Sequence, residues 1–126
     1  FLLSSSLLGV IAQRLVRILC DNCKQPSSPN DAERAVLKMA PGESAIIHRA
    51  VGCEECSGTG YRGRTGIYEV VEVDDTLRGM IHEGASEHEM EHYARTRTPG
   101  IREDGLRKVR EGATTLEEVV RVTYSE

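Results

Sequence analysis

The cysteines constrain this chain more than any other feature. All four fall in two CxxC pairs, Cys20-Asp21-Asn22-Cys23 and Cys53-Glu54-Glu55-Cys56, and none stands outside them. A CxxC turn aims two thiolates at one point, and two such turns complete the tetrahedron of sulfurs that Zn²⁺ prefers. Redox-active dithiols are the competing reading, but a thioredoxin-like exchange needs only one pair at a helix N-terminus. Two pairs predict a closed structural zinc site with Cys20, Cys23, Cys53 and Cys56 as ligands. Four thiolates leave no open position for water, so the metal is expected to hold the fold and not to catalyse. Cysteines paired locally also fit a reducing, cytoplasmic setting better than a secreted disulfide scaffold.

At 126 residues the chain suits one modest domain or two small subdomains, and a metal crosslink would matter to its stability. The net charge of -4 argues against a broad nucleic-acid-binding surface. One Phe, four Tyr and no Trp leave little from which to build stacking platforms for single strands. The apolar start from Phe1 to Ala12 resembles a signal-peptide core, but it lacks a basic flank and is too short to span a bilayer. A chain opening on Phe is expected to be a piece of a longer protein.

Leu7, Leu8, Ile11, Leu15, Ile18 and Leu19 recur at three and four residues, with Gln13, Arg14 and Arg17 on the wetter side. That spacing predicts a helix from Ser4 or Ser5 to Leu19 that delivers Cys20 to the metal. Residues 25–30 read as a loop, and Asn30 with Glu33 as a capping box opening a helix through Met39 that Pro41-Gly42 ends. Residues 45–50 suit a short strand. The glycines at 52, 58, 60, 63 and 66 suggest a tightly bent backbone around the second pair, and residues 67–73 read as a β-strand. Four helices follow, opened at Asp74 or Asp75, at Ser86 with Glu89, at Ile101, and at Thr115 with Glu118. The expected fold is α+β and mainly helical, with a small tetracysteine zinc subdomain, one short β element and a C-terminal helical bundle.

Two further stretches imitate catalytic motifs. Residues 58–65, Gly58-Thr59-Gly60-Tyr61-Arg62-Gly63-Arg64-Thr65, have P-loop spacing with Arg64 in place of the required Lys. A P-loop follows a strand and opens a helix, so that N–H groups and the helix dipole face the phosphates; this stretch runs from a knuckle into a strand. His88-Glu89-Met90-Glu91-His92 is a literal HExxH. Catalytic zinc needs a third protein ligand, no histidine follows His92, and the extended signature fails at Arg95 and Thr98, leaving only Glu103 or Glu111 as candidates. Chance spacing on an exposed helix is the better reading.

The second cysteine pair, as Cys53-Glu54-Glu55-Cys56-Ser57-Gly58-Thr59-Gly60, resembles the zinc repeat of DnaJ-type chaperones. Cys20 and Cys23 lack the trailing glycines, so the likeness is one of knuckle geometry. A wider resemblance is carried by residues 1–10, by Gln13-Arg14-Leu15-Val16-Arg17 leading into Cys20, by residues 60–69 (Gly60-Tyr61-Arg62-Gly63-Arg64-Thr65-Gly66-Ile67-Tyr68-Glu69), and by Ile101-Arg102-Glu103-Asp104-Gly105-Leu106. As an ordered set these resemble the C-terminal part of the type II secretion ATPases, the general secretion pathway protein E family, with the type IV pilus assembly ATPases as relatives.

The resemblance implies a homo-hexameric motor that hydrolyses ATP with Mg²⁺ at the cytoplasmic face of the bacterial inner membrane. Its partners would be inner-membrane secretion platform components, with no nucleic acid and no membrane contact except through partners. It further implies that residues 1–19 are the last helix of a RecA-like ATPase core, 20–73 the tetracysteine metal-binding subdomain with its following strand, and 74–126 a C-terminal helical subdomain. The P-loop would lie upstream, and this stretch alone is expected to be inactive. Arg64 is then the candidate for a trans contact with phosphate charge in a neighbouring subunit, as arginine fingers make; the plainer readings are a solvated side chain or a pair with Glu69. Arg14 and Arg17 are weaker interface candidates. A stand-alone zinc-ribbon module binding protein or nucleic acid is the alternative.

Overall fold

A computed structural model describes residues 9–123. Its longest elements are two strands, β1 (Gly9–Leu19) and β4 (Tyr61–Glu72), paired antiparallel as a ribbon. Gly9 lies opposite Glu72 and Val16 opposite Thr65, with the register shifting between Arg17 and Leu19. The class is α+β as expected, but two parts of that expectation need correcting. Residues 9–19 are strand and not helix, and the β content exceeds one short element. Residues 4–8 of the expected helix lie outside the described residues.

The physical reason is that β1 carries both periodicities. Its apolar residues fit helical spacing, yet Val16 is fully buried and Ala12 packs on the core while Ile11, Gln13 and Leu15 face outward. That alternation has a period of two. Strand β4, some fifty residues on, supplies the backbone partners that make the alternating reading win. The shift after Arg17 turns Leu19 into the interior and sets Cys20 at the mouth of the ribbon.

Residues 25–30 are not wholly loop either. Strand β2 (Gln25–Ser27) pairs antiparallel with β3 (Ile47–Arg49). Between them, helix α1 (Asp31–Val36) opens on the expected capping box: Asn30 accepts from the Glu33 N–H at 2.8 Å and the Glu33 carboxylate accepts from the Asn30 N–H at 2.9 Å. It ends three residues before Met39. The same carboxylate is held by Arg49, which ties α1 to β3.

After β4 come α2 (Asp75–Glu83), α3 (Glu87–Arg97), α4 (Ile101–Arg110) and α5 (Leu116–Thr123). Asp74 caps α2 through the Leu77 N–H and also accepts a hydrogen bond from the Tyr93 hydroxyl, which closes α3 against α2. Gly84 ends α2 in the left-handed region that a side chain would strain. Helices α4 and α5 pack on each other and on the ribbon, so the C-terminal helices do not form a bundle of their own. One core joins Val16 and Ile67 of the ribbon, Leu37 and Ile47, and Ile101, Leu106, Val109, Leu116 and Val119 of α4 and α5. Gly105 lets α4 sit close, since a Cβ there would meet Val119 Cγ1 at 2.6 Å. Among the described residues no helix is long and apolar enough to cross a membrane.

Candidate metal centre

The end of β1 and the chain entering β4 bring the two CxxC pairs together. Cys20 follows the last residue of β1, and its N–H donates to the Gly60 carbonyl at 2.9 Å. The N–H groups of Cys23 and Lys24 fold back on the Cys20 carbonyl, while Gly58 N–H donates to the Cys53 carbonyl at 2.8 Å. Each pair is thus a knuckle, a turn closed by backbone hydrogen bonds with both sulfurs on its inner side. Positive φ at Gly52, Gly58, Gly60 and Gly63 agrees with the reading of the glycines, but Gly66 lies within β4, where the Tyr68 ring crosses it. Gly60 shows why glycine is needed: φ is +85°, and a Cβ would meet that of Ala50 at 2.7 Å.

The four Sγ atoms lie within 4.8 Å of one another, and among the described residues this is the one group of His, Cys, Asp or Glu side chains close enough to hold a metal ion. Cys20 and Cys53 are 3.8 Å apart, Cys23 and Cys56 3.8 Å, and Cys53 and Cys56 3.7 Å. Sulfurs placed about 2.3 Å from a central zinc ion at the corners of a tetrahedron stand about 3.8 Å apart, so the donor set fits. These distances are nearly twice the roughly 2.05 Å of a disulfide, and all four cysteines are free thiols.

The electrostatics point the same way. N–H groups of Cys53 and Gly60 donate to Cys56 Sγ at 3.2 and 3.1 Å, Gly52 N–H to Cys23 Sγ at 3.3 Å, and the Asn22 side-chain amide to Cys53 Sγ at 3.2 Å. Burial opposes ionisation of Cys56, but those N–H donors and the neighbouring thiols bring it down to about 6. The Asn22 amide and the Cys56 backbone hold Cys53 below the usual thiol value. The Gly52 N–H also favours the Cys23 thiolate, yet burial and the other three thiols push that group up to about 11. Four adjacent thiolates repel one another, and a cation at their centre removes the conflict. A metal bound there supplies a crosslink between the two knuckles and, with its four positions filled by protein, no reactive site.

The imitation motifs fall elsewhere. Residues 58–65 leave the second knuckle and enter β4, with no helix behind the glycines to face a phosphate. His88 and His92 lie exposed on α3, and among the described residues no third ligand approaches them. Arg64 stands exposed on β4 directly opposite Arg17. It does not pair with Glu69, which lies on the other face of the strand and takes Arg95 at 2.5 Å.

One node escaped the sequence reading. Thr115 does accept from the Glu118 N–H at 3.2 Å, but the Glu118 carboxylate does not return to close a capping box. It is buried and crosses to β1, accepting from the Arg17 N–H and the Arg17 guanidinium, both at 2.9 Å, and from Arg121 at 3.1 Å. Burial would raise its pKa, but the hydrogen bonds from Arg17 and Arg121 bring it down to about 2. The Arg17 guanidinium also lies 4.1 Å from the Tyr61 ring centroid, and the Tyr61 hydroxyl meets Thr115 Oγ1 at 2.9 Å. The node fastens α5 to the strand that carries Cys20. No local signal marks it, since Arg17 and Glu118 are 101 residues apart.

A two-stranded ribbon with helices packed on it and a four-cysteine cluster at its end make this an α+β protein with a cluster of thiols able to hold a metal ion. Comparison with known proteins makes this specific. The family model described as "Type II/IV secretion system protein" matches residues 1–121, and the chain belongs to that family. It is 59% identical over 126 residues to a Pseudomonas aeruginosa protein named type II secretion system protein E, and 54% identical over 123 residues to the type II secretion system ATPase E of Vibrio cholerae. It is also 43% identical to the type IV pilus assembly ATPase PilB of Thermus thermophilus. These matches take in 98 to 100% of this chain, but only 25%, 24% and 14% of the respective relatives.

Proposed function

We propose that this chain is the C-terminal metal-binding and helical region of an ATPase that powers type II protein secretion or type IV pilus assembly. The supporting observation is the convergence of four thiols at zinc spacing within a chain so similar to those ATPases. Zn²⁺ is structural here, held by Cys20, Cys23, Cys53 and Cys56. ATP and Mg²⁺ are bound by parts of the parent protein that precede this region, which has no turnover of its own. The parent works as a hexamer at the cytoplasmic face of the inner membrane, docked on platform components.

In this reading the β1–β4 ribbon finishes the ATPase core, residues 20–60 are the metal subdomain inserted in it, and the helices from Asp75 onward are the terminal subdomain. The ribbon's outer face supports this: Ile11, Leu15, Tyr68 and Val70 lie 46 to 70% exposed on the face opposite the buried Val16 and Ile67. Apolar residues grouped that way suit burial against the rest of the ATPase. Arg64 lies on the same face without an ion-pair partner among the described residues, which leaves it available to reach phosphate charge in a neighbouring subunit.

The test is made on the full-length protein. One zinc per chain, lost together with secretion in Cys53→Ser and Cys56→Ser, is the expected result. ATP turnover is expected to fall in Arg64→Ala while hexamers still form. Normal turnover in assembled Arg64→Ala hexamers overturns the trans contact, and a folded, active protein without metal overturns the structural zinc.

A further inference from the structure

We propose that the second knuckle is a site of reversible oxidative modification: hydrogen peroxide converts Cys53 and Cys56 to a disulfide and releases the metal. The inference rests on the zinc reading above and concerns how that site is opened. Cys20, Cys23 and Cys56 are buried, whereas Cys53 is partly exposed beside a shallow depression lined by Val51, Gly52, Cys53, Glu54, Ser57 and Gly58. A small oxidant therefore meets one corner of the tetrahedron before the other three.

The partner for that corner follows from the backbone. Cys20 and Cys56 are about equally near to Cys53, at 3.8 and 3.7 Å. Cys20, however, is fixed at the end of β1: its N–H is bound to the Gly60 carbonyl, and the N–H of Leu19 beside it is bound to the Ala113 carbonyl at 2.8 Å. Cys56 belongs to the same turn as Cys53, three residues on, so rearranging that one turn closes the gap to the roughly 2.05 Å of a disulfide without displacing β1.

The chemistry balances with the peroxide as the sole oxidant. The Cys53 thiolate attacks one peroxide oxygen, the O–O bond breaks, and hydroxide leaves and is protonated to water. The Cys56 thiolate then attacks the Cys53 sulfenic sulfur, forming the S–S bond as a second hydroxide leaves and becomes water. Two electrons pass from the two sulfurs to the peroxide. The two remaining thiolates do not make a closed zinc site, so the ion departs.

Trypsin separates the knuckles, because Arg17, Lys24, Arg49 and Arg62 bracket residues 18–24 and 50–62. Zinc-loaded chain is treated with hydrogen peroxide, zinc release is followed with a chromogenic chelator, and the digest is weighed without reduction. The expected result is one zinc released per disulfide, the peptide 50–62 lighter by two hydrogens, and recovery of zinc binding after dithiothreitol and added zinc. A link joining the two peptides, or zinc retained while peroxide is consumed, overturns the proposal and leaves the zinc site intact. A chain that takes up no zinc with all thiols reduced overturns both.

Discussion

Cys20 is as deeply buried as Ile47 or Ile67, yet the cysteines cluster with one another and not with the main core. The core around Val16 and Ile67 joins nine buried residues from both sheets, α4, α5 and the end of α1, and its strength is a sum of many small contacts. The knuckles bury only their own sulfurs, and their backbone turns are short. A region of that size gains little from burial, and in the proposed reading a few strong ligand bonds to the metal hold it. One region should therefore fail all at once and the other by degrees.

The sharpest way to break the comparison is to remove a ligand. Cys56→Ser is expected to abolish zinc binding and unfold residues 20–60, because apparent zinc affinities in structural sites are on the order of 10 kcal/mol and are lost with one thiolate. Proton–deuterium exchange should show the knuckle amides losing protection while those of α4 and α5 keep theirs. Protection retained at Gly58 and Gly60 without metal would mean that burial suffices there after all.

Ile67→Ala tests the other region. Ile67 is fully exclued from solvent and packs against α4 near Gly105, so the truncation leaves a cavity and should cost about 3 to 4 kcal/mol in chemical denaturation. Zinc stoichiometry should stay at one per chain under native conditions.

Glu118 fastens α5 to the strand that leads into the first knuckle, and its removal should have an intermediate effect. Its carboxylate is held at about 2 by Arg17 and Arg121, below the roughly 4.3 of an unfolded glutamate. A depressed folded value means that its contribution is complete above about pH 4.3 and is lost as pH falls through that value toward about 2. Arg17 and Arg121 are about half exposed, which screens the pair, so Glu118→Gln is expected to cost on the order of 2 kcal/mol at pH 7 and less at pH 3. Equal losses at both pH values would show that the carboxylate acts by shape alone.

The smallest effect belongs to a position remote from both. Ser86 accepts from the Glu89 N–H at 3.1 Å at the start of α3, and Ser86→Ala should lower stability by about 1 kcal/mol without touching zinc content. A larger loss would mean that α3 supports the core more than its exposed surface indicates.

The cysteine cluster and the caps at Asn30, Asp74 and Ser86 were all legible in the sequence. Each is decided within a few residues, where spacing and side-chain chemistry act directly on the nearby backbone. Residues 9–19 were not legible, because the same apolar positions satisfy a helix and a half-buried strand, and only pairing with β4 chooses between them. The burial of Glu118 against Arg17, the closeness of α4 at Gly105 and the apolar outer face of the ribbon are likewise products of tertiary structure. The sequence by itself determined what the knuckles can hold. Contacts between residues far apart in the chain decided what the knuckles are fastened to.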